Sequence, residues 1–266
     1  MTLNFAEHGA GVAVVALHGW TADHRLMTGC LEPLFASRPG YRRIYPDLPG
    51  MGGSPAPPAG AGSDDLLAAV HDFIAETVGD EPFLLAGESY GGYLSRAVAR
   101  DRPGQVLGLA LICPIGTEAD RSKRTLPAKQ VLRPDPEGVA ELDARTATAF
   151  VEMAVVQSPA AARRFRDEIM AGLDLADTPA LSRVEQRWEL SRAPEDGDPF
   201  TRPALILTGR QDQVVGYADQ FRLLPHYPRA TFAVLDVAGH NLQIDQPGLF
   251  NALMHDWLDR VAAESP

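Results

Sequence analysis

Ser89, Asp212 and His240 are the residues whose types and spacing point to chemistry. Ser89 stands in Gly87-Glu88-Ser89-Tyr90-Gly91-Gly92, directly after the apolar run Phe83-Leu84-Leu85-Ala86 and before a helical pattern that reaches Arg100. A buried strand, a tight turn and a helix are the context that a Gly-x-Ser-x-Gly nucleophile elbow requires. The turn holds the serine in a sparsely populated backbone conformation and pushes its hydroxyl out at the carboxyl edge of a sheet. It also aims the first N–H groups of the helix at the same point, where negative charge is favoured. The two flanking glycines are required because side chains there would collide where strand and helix cross.

A neutral serine hydroxyl is a weak nucleophile and needs a base. Of the seven histidines, His240 alone follows a strand and precedes the final helix, in Ala238-Gly239-His240-Asn241. His226 and His255 fall on or near helices, His71 lies inside one, and His8 is close to the N-terminus. His18 and His24 flank the first loop, and a structural role is expected for His18. The base must be held in one tautomer by a carboxylate. Asp212, in Thr208-Gly209-Arg210-Gln211-Asp212, lies just past another strand. A loop aspartate often only caps a helix, but the chain order Ser89, Asp212, His240 is the order in which such a triad occurs on this kind of sheet.

Several elements must position these residues. Val12–Leu17 reads as a strand buried on both faces, Phe83–Ala86 and Val106–Cys113 as further buried strands, and Ala204–Thr208 and Thr231–Val237 as strands. Leu3–Ala6 and Arg43–Pro46 read as shorter strands. Helical periodicity covers Arg25–Ser37, a segment capped by Ser63 or Asp64, the stretch after the elbow, Ala218–Pro225, and the run opened by Asp245-Gln246-Pro247. Strands alternating with helices predict a mostly parallel, doubly wound α/β sheet of about seven strands, with functional groups beyond the carboxyl ends of the strands. From Pro114 to Pro203 strand signals stop, and amphipathic stretches run over Gly138–Gln157, Pro159–Leu173 and Pro179–Arg192. The division expected is a core over 1–113 and 204–266 interrupted by a helical cap over 114–203.

These pieces resemble the α/β-hydrolase superfamily over nearly the whole chain outside the cap. The resemblance is carried by His18-Gly19-Trp20, the stretch Asp47–Ser54, Gly87–Gly92, Gly209–Asp212 and Gly239-His240. It implies a serine hydrolase with a Ser89–His240–Asp212 triad and an oxyanion hole formed by the backbone N–H groups of Trp20 and Tyr90. It implies no metal and no organic cofactor. Serine at position 89 argues against the epoxide hydrolases and haloalkane dehalogenases of this fold, which carry aspartate there. Ester hydrolysis is the leading reaction. Carbon–carbon bond hydrolysis of vinylogous diketones comes second, since Asn241 stands where those enzymes commonly carry Trp. Lactone hydrolysis, thioester hydrolysis and acyl transfer remain open. A small-molecule receptor that keeps its triad is the reading of another class. The pH dependence expected of His240 as base places its pKa at about 6–7.

Composition sets the wider bounds. The chain has 266 residues, 45% of them hydrophobic and 22% charged, as in an ordinary soluble globular protein. A net charge of −11 argues against nucleic acid and anionic membrane surfaces as partners and says little about substrate; a small-molecule substrate is what the resemblance implies. Cys30 and Cys113 form no C-x-x-C pair, which fits a reducing compartment. No signal peptide and no membrane span are recognised, so a cytoplasmic location is the expectation. Within the cap, Phe150, Met153, Val155 and Val156 either line an apolar pocket or form core between helices. Arg121, Arg124, Arg133, Arg163 and Arg164 either bind a substrate carboxylate or are solvated.

Overall fold

The computed structural model describes residues 1–264. Its centre is a sheet of seven strands: β1 (Phe5–Gly9), β2 (Val12–Leu17), β3 (Tyr41–Pro46), β4 (Phe83–Glu88), β5 (Val106–Ile112), β6 (Ala204–Gly209) and β7 (Ala230–Leu235). Their order across the sheet is β1-β3-β2-β4-β5-β6-β7. β1 runs antiparallel to β3, and every other pairing is parallel. Parallel strands need crossover connections, which cover both faces of the sheet. The central strands are accordingly continuous apolar runs, and β4 and β6 are buried at every residue.

The connections are α1 (His24–Phe35), α2 (Ser63–Thr77) and α3 (Ser89–Asp101) in the first part of the chain. Between β5 and β6 lie α4 (Pro136–Ala140), α5 (Ala144–Met153), α6 (Pro159–Phe165), α7 (Ala171–Leu173) and α8 (Thr178–Val184). A π turn over Arg166–Met170 joins α6 to α7, and a 3-10 turn over Glu185–Arg187 extends α8. The closing elements are α9 (Ala218–Phe221), α10 (Leu242–Asp245) and α11 (Pro247–Ala262). The described residues between β5 and β6 contain no strand, only one isolated bridge between Arg133 and Val156.

Three differences from the sequence reading have a local physical cause. The edge strand begins at Phe5 rather than Leu3, with Phe5 opposite Pro46 and Gly9 opposite Arg42. Leu3 is buried at 3% exposure, but it anchors the chain just ahead of the ladder, and the edge strand itself is largely exposed. The apolar residue therefore marks a core contact and not a hydrogen-bonded position. The expected cap of α2 also shifts. Gly62 is the cap, its N–H donates to Asp65 Oδ2 at 2.8 Å, and Ser63 and Asp64 instead bind residues 188 and 191. The helix read over Ala218–Pro225 stops at Phe221 and resumes as a 3-10 turn at Leu224–His226, because Pro225 has no N–H to extend it.

The register brings the carboxyl ends of the strands level. Leu17 lies beside Gly87, Glu88 beside Ile112, and Gly209 beside Leu235. The loops that leave β2, β4, β6 and β7 thus emerge along one rim, from segments far apart in sequence.

Candidate active site

The elbow is built as its spacing requires. Ser89 has φ of +52°, a conformation that is strained for a residue with a side chain. A Cβ at Gly87 would lie 2.4 Å from Ser95 Oγ and 2.5 Å from the Gly91 carbonyl oxygen. One at Gly91 would lie 2.3 Å from the Leu17 carbonyl oxygen. The N-terminal turn of α3 therefore presses against both β4 and β2, which only glycines allow. Three other non-glycine residues have positive φ among the described residues: Thr21, Cys113 and Val237. All stand where the chain leaves or approaches the same rim.

The rim brings Ser89, His240 and Asp212 together. His240 Nε2 is 3.0 Å from Ser89 Oγ, and His240 Nδ1 is 2.9 Å from Asp212 Oδ2. The carboxylate is fully buried, and its other oxygen accepts the N–H groups of Val214 and Val215 at 2.8 and 3.0 Å. Burial pushes the Asp212 pKa up, but the adjacent His240 and these hydrogen bonds outweigh it and hold it below its ordinary value. Asp212 is thus a fixed anion that keeps Nδ1 protonated and leaves Nε2 to face the serine.

The loop of His240 is held by two residues that the sequence reading did not single out. Gln211 Oε1 accepts the Ala238 N–H at 3.0 Å, while its amide donates to Asp236 at 2.9 Å. Asp245 accepts the N–H groups of Gly239 at 2.9 Å and Val156 at 3.1 Å, so it also ties this loop to the helical segment. Burial pushes the Asp245 carboxyl up to about 6 against these bonds. Their only trace in the sequence is adjacency: Gln211 precedes Asp212, and Asp245 stands five residues after His240.

Glu88 was also missed. It is 3% exposed, and its Oε1 lies 3.4 Å from His240 Nε2. The histidine therefore has a carboxylate near each ring nitrogen. Burial lowers its pKa, but Asp212 and Glu88 together take it up to about 9, above the 6–7 expected from the sequence. The correction has a simple cause: the second buried anion was not visible until the fold was known.

The other residues picked from the sequence divide clearly. Trp20 and Tyr90 both line the cavity at Ser89. Tyr90 is the second residue of α3, among the amides that have no acceptor inside their own helix. A Cβ on Gly19 would lie 3.2 Å from Ser89 Cβ, which puts the loop carrying Trp20 directly against the serine. His18 is fully buried and spent on backbone: Nε2 accepts the Leu48 N–H at 2.9 Å and Nδ1 lies 2.7 Å from the Gly19 carbonyl oxygen. Arg121 and Arg124 reach the cavity. Arg124 donates to the carbonyls of Glu118, Ala119 and Val214. Arg133 lines a different cavity, and Arg163 and Arg164 pair with Glu141 and Glu168. Phe150 packs on Phe165 at 5.4 Å, and neither it nor Met153, Val155 or Val156 lines the cavity at Ser89.

That cavity has a volume of about 890 Å³. Its wall is aromatic: Trp20, Tyr90 and Trp188 meet with ring centroids 4.6–4.9 Å apart. Trp20 Nε1 donates to Glu185 Oε1 at 3.0 Å, and Tyr90 Oη donates to Ser63 Oγ, which donates to the Trp188 carbonyl. The helical segment is thereby bonded directly to Trp20 and, through Ser63, to Tyr90. Two groups could offer a metal three donor atoms among the described residues, Cys113–Asp212–His240 and Asp23–His24–Asp47. In each, the Asp carboxylate and the His Nδ1 already bind one another. The Cys113 thiol is pushed well up by burial beside Asp212 and Glu88, which keeps it protonated.

A family model described as alpha/beta hydrolase fold matches residues 12–247. The chain belongs to the α/β-hydrolase fold family. Several members are similar along nearly its whole length. The dihydrolipoyllysine-residue acetyltransferase component of the acetoin cleaving system of Cupriavidus necator is 29% identical over 95% of the chain, which spans 65% of that relative. A 2-hydroxy-6-oxononadienedioate/2-hydroxy-6-oxononatrienedioate hydrolase of Paraburkholderia phymatum is 27% identical, covering 97% of this chain and 91% of its own. The pimeloyl-[acyl-carrier protein] methyl ester esterase of Shewanella woodyi is 26% identical, covering 97% and 98%. Among solved structures, an alpha/beta superfamily hydrolase from Oenococcus oeni PSU-1 superposes with a TM-score of 0.89 at 29% identity, covering 98% of this chain and all of that one.

Proposed function

We propose that this family member is a serine hydrolase that cleaves a small, uncharged ester. The observation that carries the reading is the unbroken chain Asp212–His240–Ser89, at 2.9 and 3.0 Å, which ends in a cavity walled by aromatic rings.

The geometry supports a two-step acyl transfer. Ser89 Oγ bonds to the ester carbonyl carbon as His240 Nε2 takes the hydroxyl proton. The negative charge moves to the carbonyl oxygen, and the N–H groups of Trp20 and Tyr90 receive it. Asp212 holds the imidazolium that results. The carbon–oxygen bond to the leaving group then breaks, and His240 returns the proton to the departing alcohol. Water repeats the sequence on the acyl-enzyme, releasing the acid and restoring Ser89. Each oxyanion donor contributes about 10²–10³ in rate. Residues 114–203 act as the cap: Trp188 supplies part of the substrate wall, and Glu185 anchors Trp20 from the cap side.

Carbon–carbon bond hydrolysis is the second reading, supported by similarity to the hydrolase of Paraburkholderia phymatum. The cavity favours the ester. The substrate in that relative's name is a dioate, whereas the cavity at Ser89 is bordered by Asp64, Asp65, Asp120, Glu185 and Glu189 against Arg121, Arg124 and Arg187. The guanidinium groups of Arg124 and Arg187 are already bonded to backbone carbonyls. A dianion would meet a net negative rim, while a neutral ester would meet apolar rings. No helix among the described residues is long and apolar enough to cross a membrane.

The test is intact mass after treatment with a fluorophosphonate, for the wild type and for Ser89→Ala. One adduct on the wild type and none on the variant is the expected result. An unlabelled, folded wild type would sink the reading. Repeated turnover of a neutral aryl ester, with a carboxylate-bearing ester of equal size at least tenfold slower, then separates an esterase from a receptor and from a hydrolase of dianions.

A further inference from the structure

Glu88 closes a strand that is buried at every residue, immediately before Ser89. A carboxylate there is unexpected, because burying an anion without a partner is costly. Among the described residues, the one ion-pair partner within 4 Å is His240, at 3.4 Å from Nε2. The Gly19 N–H donates to the carboxylate. A Cβ on Gly19 would lie 2.1 Å from Glu88 Oε2, so the carboxylate also abuts the loop that carries Trp20. Glu88 therefore touches the base on one side and the oxyanion loop on the other.

Other charges face the same imidazole. Asp212 approaches from the loop after β6 at 2.9 Å from Nδ1. Arg124 opposes protonation from the segment after β5, and the protonated Cys113 thiol stands close to both His240 and Asp212. Ser89 Oγ, at 3.0 Å, is nearer to Nε2 than Glu88 is. The Nε2 lone pair is thus committed to the serine, and Glu88 acts on the ring by its charge.

From this placement we infer that Glu88 is a second counter-ion of His240, which stabilises the imidazolium formed when Ser89 gives up its proton. The inference rests on the serine-hydrolase reading above. Glu88 does not line the cavity at Ser89, and the hydrogen bond at Nε2 is with the serine, so Glu88 is a positioning residue that works through His240. The step stays balanced without it: the proton moves from Oγ to Nε2 and then to the leaving group, and the charge of Glu88 does not change. A more basic His240 draws the serine proton more strongly, but it is also protonated, and idle, to a higher pH. Burial drives the Glu88 carboxyl itself up to about 7, since Asp212 adds to burial and only His240 and the Gly19 N–H oppose it.

Glu88→Gln tests the inference, because the amide keeps the shape of the side chain and an oxygen for the Gly19 N–H. Two readouts are compared with the wild type. One is the His240 titration followed by nitrogen NMR of the imidazole, assigned with His240→Gln. The other is the pH dependence of the fluorophosphonate labelling rate. Both midpoints should fall by about one pH unit or more, the shift expected for losing an opposite charge within about 4–6 Å. Glu88→Asp, which keeps the charge but withdraws it by one methylene, should fall between the two. It serves alone if the glutamine variant does not fold. Midpoints that stay in place in folded, labelled variants would overturn the role of Glu88 and leave the serine hydrolase intact. A wild type that takes no label overturns the hydrolase reading, and with it any part for Glu88 in a reaction, whatever the NMR titration gives.

Discussion

The loops after β3 and after β6 each bury an aspartate against the Nδ1 of a histidine, at 2.8 Å for Asp47–His24 and 2.9 Å for Asp212–His240. Both carboxylates are fully buried. By local chemistry the pairs are nearly the same, yet their surroundings differ. Asp47 also accepts the N–H groups of His24 and Gly53 and the side-chain amide of Asn4, so its oxygens knit together the N-terminus, the start of α1 and the Gly-rich turn. Asp212 spends one oxygen on its own loop and the other on His240. The outer nitrogen of His240 faces the Ser89 hydroxyl, whereas that of His24 makes no hydrogen bond to a hydroxyl among the described residues. A buried Asp–His pair is thus a device for fixing an imidazole. What the distal nitrogen faces decides whether the fixed imidazole ties a loop or activates a nucleophile.

The comparison breaks first at the nucleophile. Ser89→Ala and His240→Gln should each lower kcat/KM by about 10⁴–10⁶-fold on any ester the enzyme turns over, since members of such a unit fail together. Near-normal turnover of either variant would dissolve the distinction between the pairs. Asp212→Asn should cost about 10⁴-fold, because the amide no longer holds the correct tautomer. Asp47→Asn should leave kcat/KM within about threefold, as expected for a residue outside the reacting unit. Equal losses in the two asparagine variants would show that both pairs serve the reaction.

The pH dependence sharpens the contrast. His240 must be neutral to act as base, and its pKa is pushed up to about 9 by Asp212 and Glu88 against burial. The kcat/KM profile should therefore keep rising through pH 8, and a plateau reached by pH 7 would contradict the arrangement. Asp47 works in the opposite direction, through stability. Burial pushes its pKa up, but the bonds from His24, Gly53 and Asn4 outweigh burial and hold it well below its ordinary 3.8. A depressed carboxylate contributes stability above its unfolded pKa and loses it as pH falls. Asp47→Ala should then lower the urea unfolding free energy by about 2–4 kcal/mol at pH 7, because it leaves several buried donors unpaired. The loss should narrow below pH 4. The smallest effect belongs to the contact between Glu185 and Trp20. Glu185→Gln weakens one exposed hydrogen bond to Trp20, so KM should rise by no more than about fivefold with kcat unchanged.

The legible part of this protein was the part with local causes. Steric exclusion at Gly87 acts within a few residues of Ser89, and Gly91 follows at a fixed offset although its own close neighbour is the Leu17 carbonyl of β2, so the elbow could be read from its spacing. Asp212 and His240 announced themselves by standing just beyond strands, β6 buried and β7 at the half-buried edge, where a parallel sheet collects its reactive groups. Leu3 misled for a related reason: its burial is real, but burial does not say which residue joins the ladder. Glu88, Gln211 and Asp245 had no such mark. Each is a polar residue beside a recognisable one, and its meaning depends on which backbone N–H or ring nitrogen arrives from another strand. His24 and Asp47 were both in view, yet nothing local paired them.

The amino-acid sequence by itself determined the alternation of strands and helices in the sheet region, the strained serine and the chain order Ser89, Asp212, His240, because hydrophobic periodicity and backbone sterics act over short distances. Only the tertiary structure decided which charges surround His240, which residues secure its loop, and which side chains of residues 114–203 reach the cavity. Electrostatics and side-chain packing are set by distances in space, and here those distances join segments that the chain keeps far apart.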